Sequence, residues 1–306
     1  MTSARASAPG ERQEWTTRQE RGAVVTIRFM VWVAMRLGRS AARLLLHPIT
    51  AYFVLFSTNA RRASRDYLER VLGRSVRLAD IYRHYHEFAC CILDRVYLLN
   101  DRADLFDLNI HGEDVLFDLS ESGAGCMLFG AHLGSFEVLR LIGRQRQDLR
   151  VSVVMYEDNA RKINSVLNAI NPELSMDIIS LGRPSAMIEI GERLASGGFV
   201  GVLADRSLNL DEQIKLPFLG TEAPFATGPF RVALLMKQPV VMMVGLYRGG
   251  RRYDIYFERL FDPSEIAQGR RADALKDAMA RYVERLEYYC RIAPYNWFNF
   301  YDFWNG

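Results

Sequence analysis

The chain has 306 residues, 49% hydrophobic and 25% charged, an ordinary globular composition with room for one large core or two smaller ones. Its four cysteines, Cys90, Cys91, Cys126 and Cys290, have no spacing of a disulfide frame or zinc ribbon, which excludes a stapled secreted fold and fits a reduced compartment. The net charge of +3 is uneven: residues 21–65 hold eight arginines and no acid, 1–20 sum to zero, and 66–306 therefore carry −5.

Residues 1–20 are polar and are expected to form a disordered tail. Residues 21–100 read as a helical, membrane-associating region. Its apolar runs, Val24 to Met35 and Leu44 to Phe56, are too apolar for a nucleic-acid-binding arm. Neither reaches the roughly 20 residues that span a bilayer. A break is predicted at His47-Pro48. On one ideal helix Arg21, Arg28, Arg36, Arg39 and Arg43 fall within roughly 80°, a basic stripe with Ile27, Met30, Leu37 and Leu44 on other faces. Such a helix would lie in the interface with its guanidinium groups on lipid phosphates, or sit tilted in the bilayer with snorkelling arginines. The alternative is a helix packed on its own domain. A cleavable signal peptide is not expected, because twenty polar residues precede the apolar run and no cleavage pattern follows. Arg77 to Leu99 reads as a further helix. Within it, His84-x-His86 and Cys90-Cys91 fall in an apolar helical pattern and are read as a buried face, not as metal ligands.

After Asn100 the texture changes. Strands are predicted at 126–130, 150–156, 176–180, 199–204, 239–246 and 253–260, and helices near 135–147, 159–170, 184–196, 226–237 and 272–291. Strands separated by helices predict an α/β domain over 101–306, with a mostly parallel sheet covered on both faces. No repeat or low-complexity segment interrupts it. His132, Asp158 and Asp205 fall at or just past strand ends, where open α/β sheets collect functional groups.

The most informative stretch is Phe129-Gly-Ala-His-Leu-Gly-Ser-Phe-Glu137, after the apolar run Cys126 to Phe129. It reads as a strand, a glycine-rich turn and a helix starting near Ser135. With His132 on the turn and Glu137 in the first helical turn, the two side chains can meet. On one continuous helix they would stand roughly 140° apart. The arrangement suits general-base activation of a hydroxyl, with the imidazole taking the proton and the carboxylate fixing its tautomer. A structural, hydrogen-bonded histidine is the competing reading. Asp205-Arg206-Ser207 offers an acid and a fixed cation beside a buried strand, or a capping Asp with a surface ion pair. Arg161 and Lys162 could face the same cleft or a solvated helix face. No Gly-x-Ser-x-Gly elbow, P-loop or dinucleotide Gly-x-Gly-x-x-Gly is present, and no metal-ligand cluster stands out.

Gly130-Ala-His-Leu-Gly-Ser-Phe-Glu137 resembles the His-x4-acid motif of the bacterial late lipid A acyltransferases, the lauroyl/myristoyl transferase family. Gly198 to Ser207 is similar to that family's strand ending in Asp. Leu216-Pro-Phe-Leu-Gly220 with Ala226-Thr-Gly-Pro229, and Ala293-Pro-Tyr-Asn-Trp297, resemble its later blocks, in the family's order, over roughly residues 15–304. The resemblance implies a glycerol-phosphate-acyltransferase-like fold. It implies catalytic His132 and Glu137, with Glu137 orienting His132, and favours a functional Asp205; Arg206 and Arg161 are further candidates for substrate contact. It implies an acyl thioester donor on acyl carrier protein or coenzyme A, a lipid or glycolipid acceptor, and no metal or redox cofactor. The expected place is the cytoplasmic face of a bacterial inner membrane, on an anionic surface. Other acceptors, such as an amino-acid lipid or a polyene, and a non-catalytic lipid-binding relative, are the alternatives. One departure concerns the tail: in the family the Tyr-x-Trp block precedes basic residues, whereas Tyr295 to Trp304 holds Asp302 and no cation. Seven of the last twelve residues are aromatic. They pack on the core, or they form an aromatic wall at the membrane interface, and either way the missing cations predict a less anionic acceptor than a lipid A precursor.

Overall fold

The computed structural model describes residues 9–138, 150–171, 177–183, 185–206, 212–266 and 271–305; of 9–30, 158, 160, 162, 163, 168, 169, 271 and 272 it describes the helical backbone alone. Three helices lead: α1 (Pro9–Phe56), α2 (Thr58–Leu72) and α3 (Leu78–Leu99). There follow β1 (Asp107–His111), α4 (Glu113–Glu121), β2 (Cys126–Gly130), β3 (Val151–Tyr156), α5 (Glu157–Ile170), β4 (Ile178–Leu181), α6 (Ala186–Ala195) and β5 (Phe199–Leu203). The remainder is a hairpin, β6 (Gln213–Phe218) and β7 (Thr221–Ala226), then α7 (Gly228–Met236), β8 (Val240–Tyr247), β9 (Arg252–Phe261) and α8 (Arg271–Ile292).

Seven strands form one sheet in the order β1-β9-β8-β2-β5-β3-β4, parallel at every pairing except β8 with β9. The expected mostly parallel α/β sheet is therefore present, with helices on both faces. The central strands are buried on both sides, so β2 sends Met127 and Phe129 into one core and Cys126 and Leu128 into the other. Each core also contains residues of the leading helices: Tyr67 and Leu68 in the first, Ala42 and Leu46 in the second. The helical region and the sheet thus share their cores.

Three features differ from expectation. Helix α1 starts at Pro9, inside the stretch expected to be a disordered tail, and residues 1–8 lie outside the described residues. It continues through Pro48; its break is at Gly38, whose φ of 80° and ψ of 165° are not helical. That kink resets the helical phase, so a stripe counted along one ideal helix does not survive it. Arg39 and Arg43 turn inward: Arg39 pairs with buried Asp94 at 2.8 Å, both donate to the Gly250 carbonyl, and Tyr253 completes the Asp94 site. Large apolar side chains of α1 stand outside, including Trp32, Leu37, Leu44, Tyr52, Leu55 and Phe56, with Arg36 exposed among them, while the side chains of Arg21 and Arg28 lie outside the described residues. Among the described residues no single helix is long and apolar enough to cross a membrane.

The third difference is a group of missed elements, β1, α4 and the hairpin. Pro217 and Pro224 inside β6 and β7 obscure a strand pattern, while Leu219 and Gly220, both at positive φ, make the tight turn. Of the helix expected near 135–147, residues 136–138 are described and are helical.

His84 and His86, two residues apart on α3, point to different places. His86 stacks on His47 of α1 at 4.6 Å. His84 is fully buried between the Ser64 hydroxyl (2.8 Å) and the Trp297 carbonyl (2.9 Å). Burial lowers its pKa from 6.5 to about 4, so it stays neutral where the unfolded chain takes up a proton. The stability this contributes is complete above pH 6.5 and is lost as the pH falls towards 4. Denaturant melts across that window should show a loss on the order of 3 kcal/mol in the wild type, and a flatter profile in His84→Gln.

Candidate active site

Strands β2 and β5 lie side by side in register, Gly130 opposite Leu203. His132 and Asp205 each come two residues later, at the same height on the same edge of the sheet. They meet there: His132 Nδ1 is 2.9 Å from Asp205 Oδ1, and the His132 main-chain N–H donates to Asp205 Oδ2 at 3.0 Å. A third donor, Trp297 Nε1–H, reaches Oδ2 at 3.0 Å. The Asp205 carboxylate is fully buried, while the His132 ring is one-third exposed. Burial opposes the charge on Asp205, yet His132, Arg206 and the Trp297 N–H draw its pKa down to about 2. An ionised carboxylate accepts only, so the ring when neutral carries its proton on Nδ1 and its lone pair on Nε2.

The turn that carries His132 is clamped on both sides. Gly134 N–H donates to the Asn296 carbonyl at 2.8 Å, Phe298 N–H to the His132 carbonyl at 2.8 Å, and Ser135 N–H to the Gly245 carbonyl at 2.7 Å. Gly134 has a φ of 71°, and a Cβ there would lie 2.0 Å from the Gly245 oxygen. Only glycine lets the turn lie this close to β8.

Two expected contacts come out differently in the geometry. Asp205, expected to touch substrate, is buried under three donors, two of them from His132. Glu137 was expected to orient the imidazole, but at Nδ1 that carboxylate is Asp205. Glu137, also buried, forms an ion pair with Arg95 of α3 (Nε to Oε1, 3.1 Å). Arg206 donates to the Phe298 carbonyl at 2.9 Å, with its guanidinium 5.4 Å from the Tyr301 ring centre. It is tied to the C-terminal segment. Arg161 is exposed on α5, which leaves β3, two strands from β2. The side chains of Asp158 and Lys162, and all of Ser207, lie outside the described residues.

The C-terminal block is packed, not a wall. Tyr295, Trp297, Phe298 and Phe303 are buried, and Tyr301 alone of the large tail aromatics is exposed. Tyr295 donates to Asp80 at 2.8 Å, while Asn296 donates to Glu87 at 2.8 Å and accepts from Tyr247 N–H at 2.6 Å. Arg95 and Trp297 were not assigned to the site beforehand. Spacings of 42 and 92 residues from Glu137 and Asp205 carry no local pattern, and only the fold brings them in.

The family model for bacterial lipid A biosynthesis acyltransferases matches residues 12–305. The chain belongs to that family. No individually curated protein matches it significantly. The expected family is thereby established, and an acyltransferase role with it. In this lipid A acyltransferase relative the His-x4-acid motif closes on a strand end, and the family's second block supplies the Asp205 that His132 faces.

Gly134→Ala should destabilise the protein by more than about 2 kcal/mol, because it adds both a clash and an unfavourable φ. Gly228→Ala, with no atom within 4 Å of the added carbon, should change it by under about 0.5 kcal/mol. Paired thermal melts measure both.

Proposed function

We propose that the protein transfers a fatty acyl chain from an acyl thioester, on acyl carrier protein or coenzyme A, to a hydroxyl of a lipid A-type glycolipid at the cytoplasmic face of the bacterial inner membrane. Nε2 of His132 takes the acceptor proton as the hydroxyl oxygen attacks the thioester carbonyl. The tetrahedral intermediate collapses with cleavage of the C–S bond, and the imidazolium returns its proton to the departing sulfur. Asp205 holds the tautomer and balances the imidazolium. Glu137 acts through Arg95, whose guanidinium, with Arg206, faces developing or resident negative charge. Arg161 would serve an anionic part of a substrate further along the sheet edge. The single observation that carries the reading is the contact of a buried, ionised Asp205 with Nδ1 of a partly exposed His132.

The tail's lack of a cation favours a less anionic acceptor. Arg206, next to Asp205 in sequence, and Arg95, paired with Glu137, are the cations that would instead meet a phosphorylated one. Turnover of acyl-loaded carrier protein with a lipid A precursor, followed by mass spectrometry, tests the reading. His132→Ala should lower kcat by at least about 10²-fold and Asp205→Asn by a similar factor, with Glu137→Gln milder. Wild-type turnover by a folded His132→Ala protein contradicts it.

For the membrane, the inward turn of Arg39 and Arg43 supports an apolar contact, not a phosphate-binding stripe. Leu44, Leu55 and Phe56 are 70%, 60% and 68% exposed. Replacing these three with serine should weaken partitioning into vesicles at least about tenfold by flotation, since each buries apolar area in the acyl region. High salt should change it little. Binding abolished by salt and untouched by the serine substitutions would return the role to the arginines.

A further inference from the structure

Trp297 connects to both halves of the dyad. Its indole N–H donates to Asp205 Oδ2, the oxygen that also receives the His132 main-chain N–H. Its backbone lies beside Leu133 in an antiparallel bridge, and the next residue, Phe298, bonds the His132 carbonyl. Its own carbonyl accepts from His84 Nε2, and His84 Nδ1 faces the Ser64 hydroxyl. The chain of contacts thus runs from α2 through α3 and the C-terminal block to Asp205 and His132.

The bland reading of Trp297 is a large core aromatic that found a partner for its N–H. Its surroundings make it more than filler. The indole is fully buried and held edge-on by Tyr67, Phe218 and Phe303, with ring centres at 4.9, 5.3 and 5.0 Å. It cannot swing away without breaking all three packings. An indole N–H is a donor only and does not titrate, so it offers Asp205 the same bond at every pH and cannot compete for the His132 proton. A carboxylate held on Oδ2 by two fixed donors can rotate neither towards nor away from Nδ1.

We infer that Trp297 is a positioning residue: its indole N–H fixes the Asp205 carboxylate, and through it the orientation and tautomer of the His132 ring. This rests on the reading of His132 as the base. It assigns to the C-terminal block a role in reaction rate, not in acceptor recognition.

The test is a double-mutant cycle on the full-length protein with acyl-loaded carrier protein and a lipid A precursor. Trp297→Phe keeps the aromatic packing and removes the N–H. It should lower kcat about tenfold, the scale of one hydrogen bond to a charged group, and leave KM within about twofold. In an Asp205→Asn background the same change should cost less than about twofold, because the carboxylate it acts through is gone. Losses that multiply in the double variant would overturn the inference. A second arm needs no substrate: the imidazole ¹⁵N shifts of His132 should move towards mixed-tautomer values in Trp297→Phe, and unchanged shifts in the folded variant would overturn it. If the wild type turns over no acyl thioester, the proposed function falls, and the ¹⁵N arm alone decides the role of Trp297. If Trp297→Phe does not fold, benzothienylalanine at 297, the same shape without an N–H, takes its place in both arms.

Discussion

A carboxylate buried in the middle of a protein must be met by donors or lose its charge, and Asp205 sets that demand here. Its donors come from two distant segments: the main chain and ring of His132, and the indole of Trp297. Satisfying them forces the C-terminal block to lie along the His132 turn. That block is secured in turn by Asp80, Glu87 and His84 of α3. The buried charge thereby couples the sheet edge, the tail and the leading helices into one arrangement.

The leading helices follow the same economy of buried charge. Arg39 is kept on the body by Asp94, whose carboxylate has no exposure and receives Tyr253 as well. With Arg39 and Arg43 turned inward, the exposed face of α1 holds Trp32, Leu44, Leu55 and Phe56 alongside Arg36. An apolar outer face is what a lipid-handling protein can use.

Much of the domain could be read from the residues. The buried strands β2, β5 and β8 were legible because their apolar runs are long and bounded, and helix α8 because Leu275, Met279, Val283 and Leu286 repeat at helical spacing. His132 was legible because glycines on both sides mark a turn at a strand end. The partner of its ring was not. Glu137 is near in sequence, Asp205 is 73 residues away, and only the adjacency of β2 and β5 brings Asp205 into place. Periodicity says that strands exist, not which are neighbours. The arginine stripe failed for a related reason: angular counting assumes an unbroken helix, and one glycine at Gly38 ends that assumption. The tail was ambiguous because aromatic residues suit a core and an interface equally well.

An ionised Asp205 facing the His132 ring requires the ring's single proton, when the ring is neutral, on Nδ1 and leaves Nε2 bare. Imidazole ¹⁵N NMR of the selectively labelled wild-type protein, with His132→Ala to assign the signal, measures this directly. The neutral ring is expected to show a protonated Nδ1 and an unprotonated Nε2. A neutral ring protonated on Nε2 with a bare Nδ1 would contradict it.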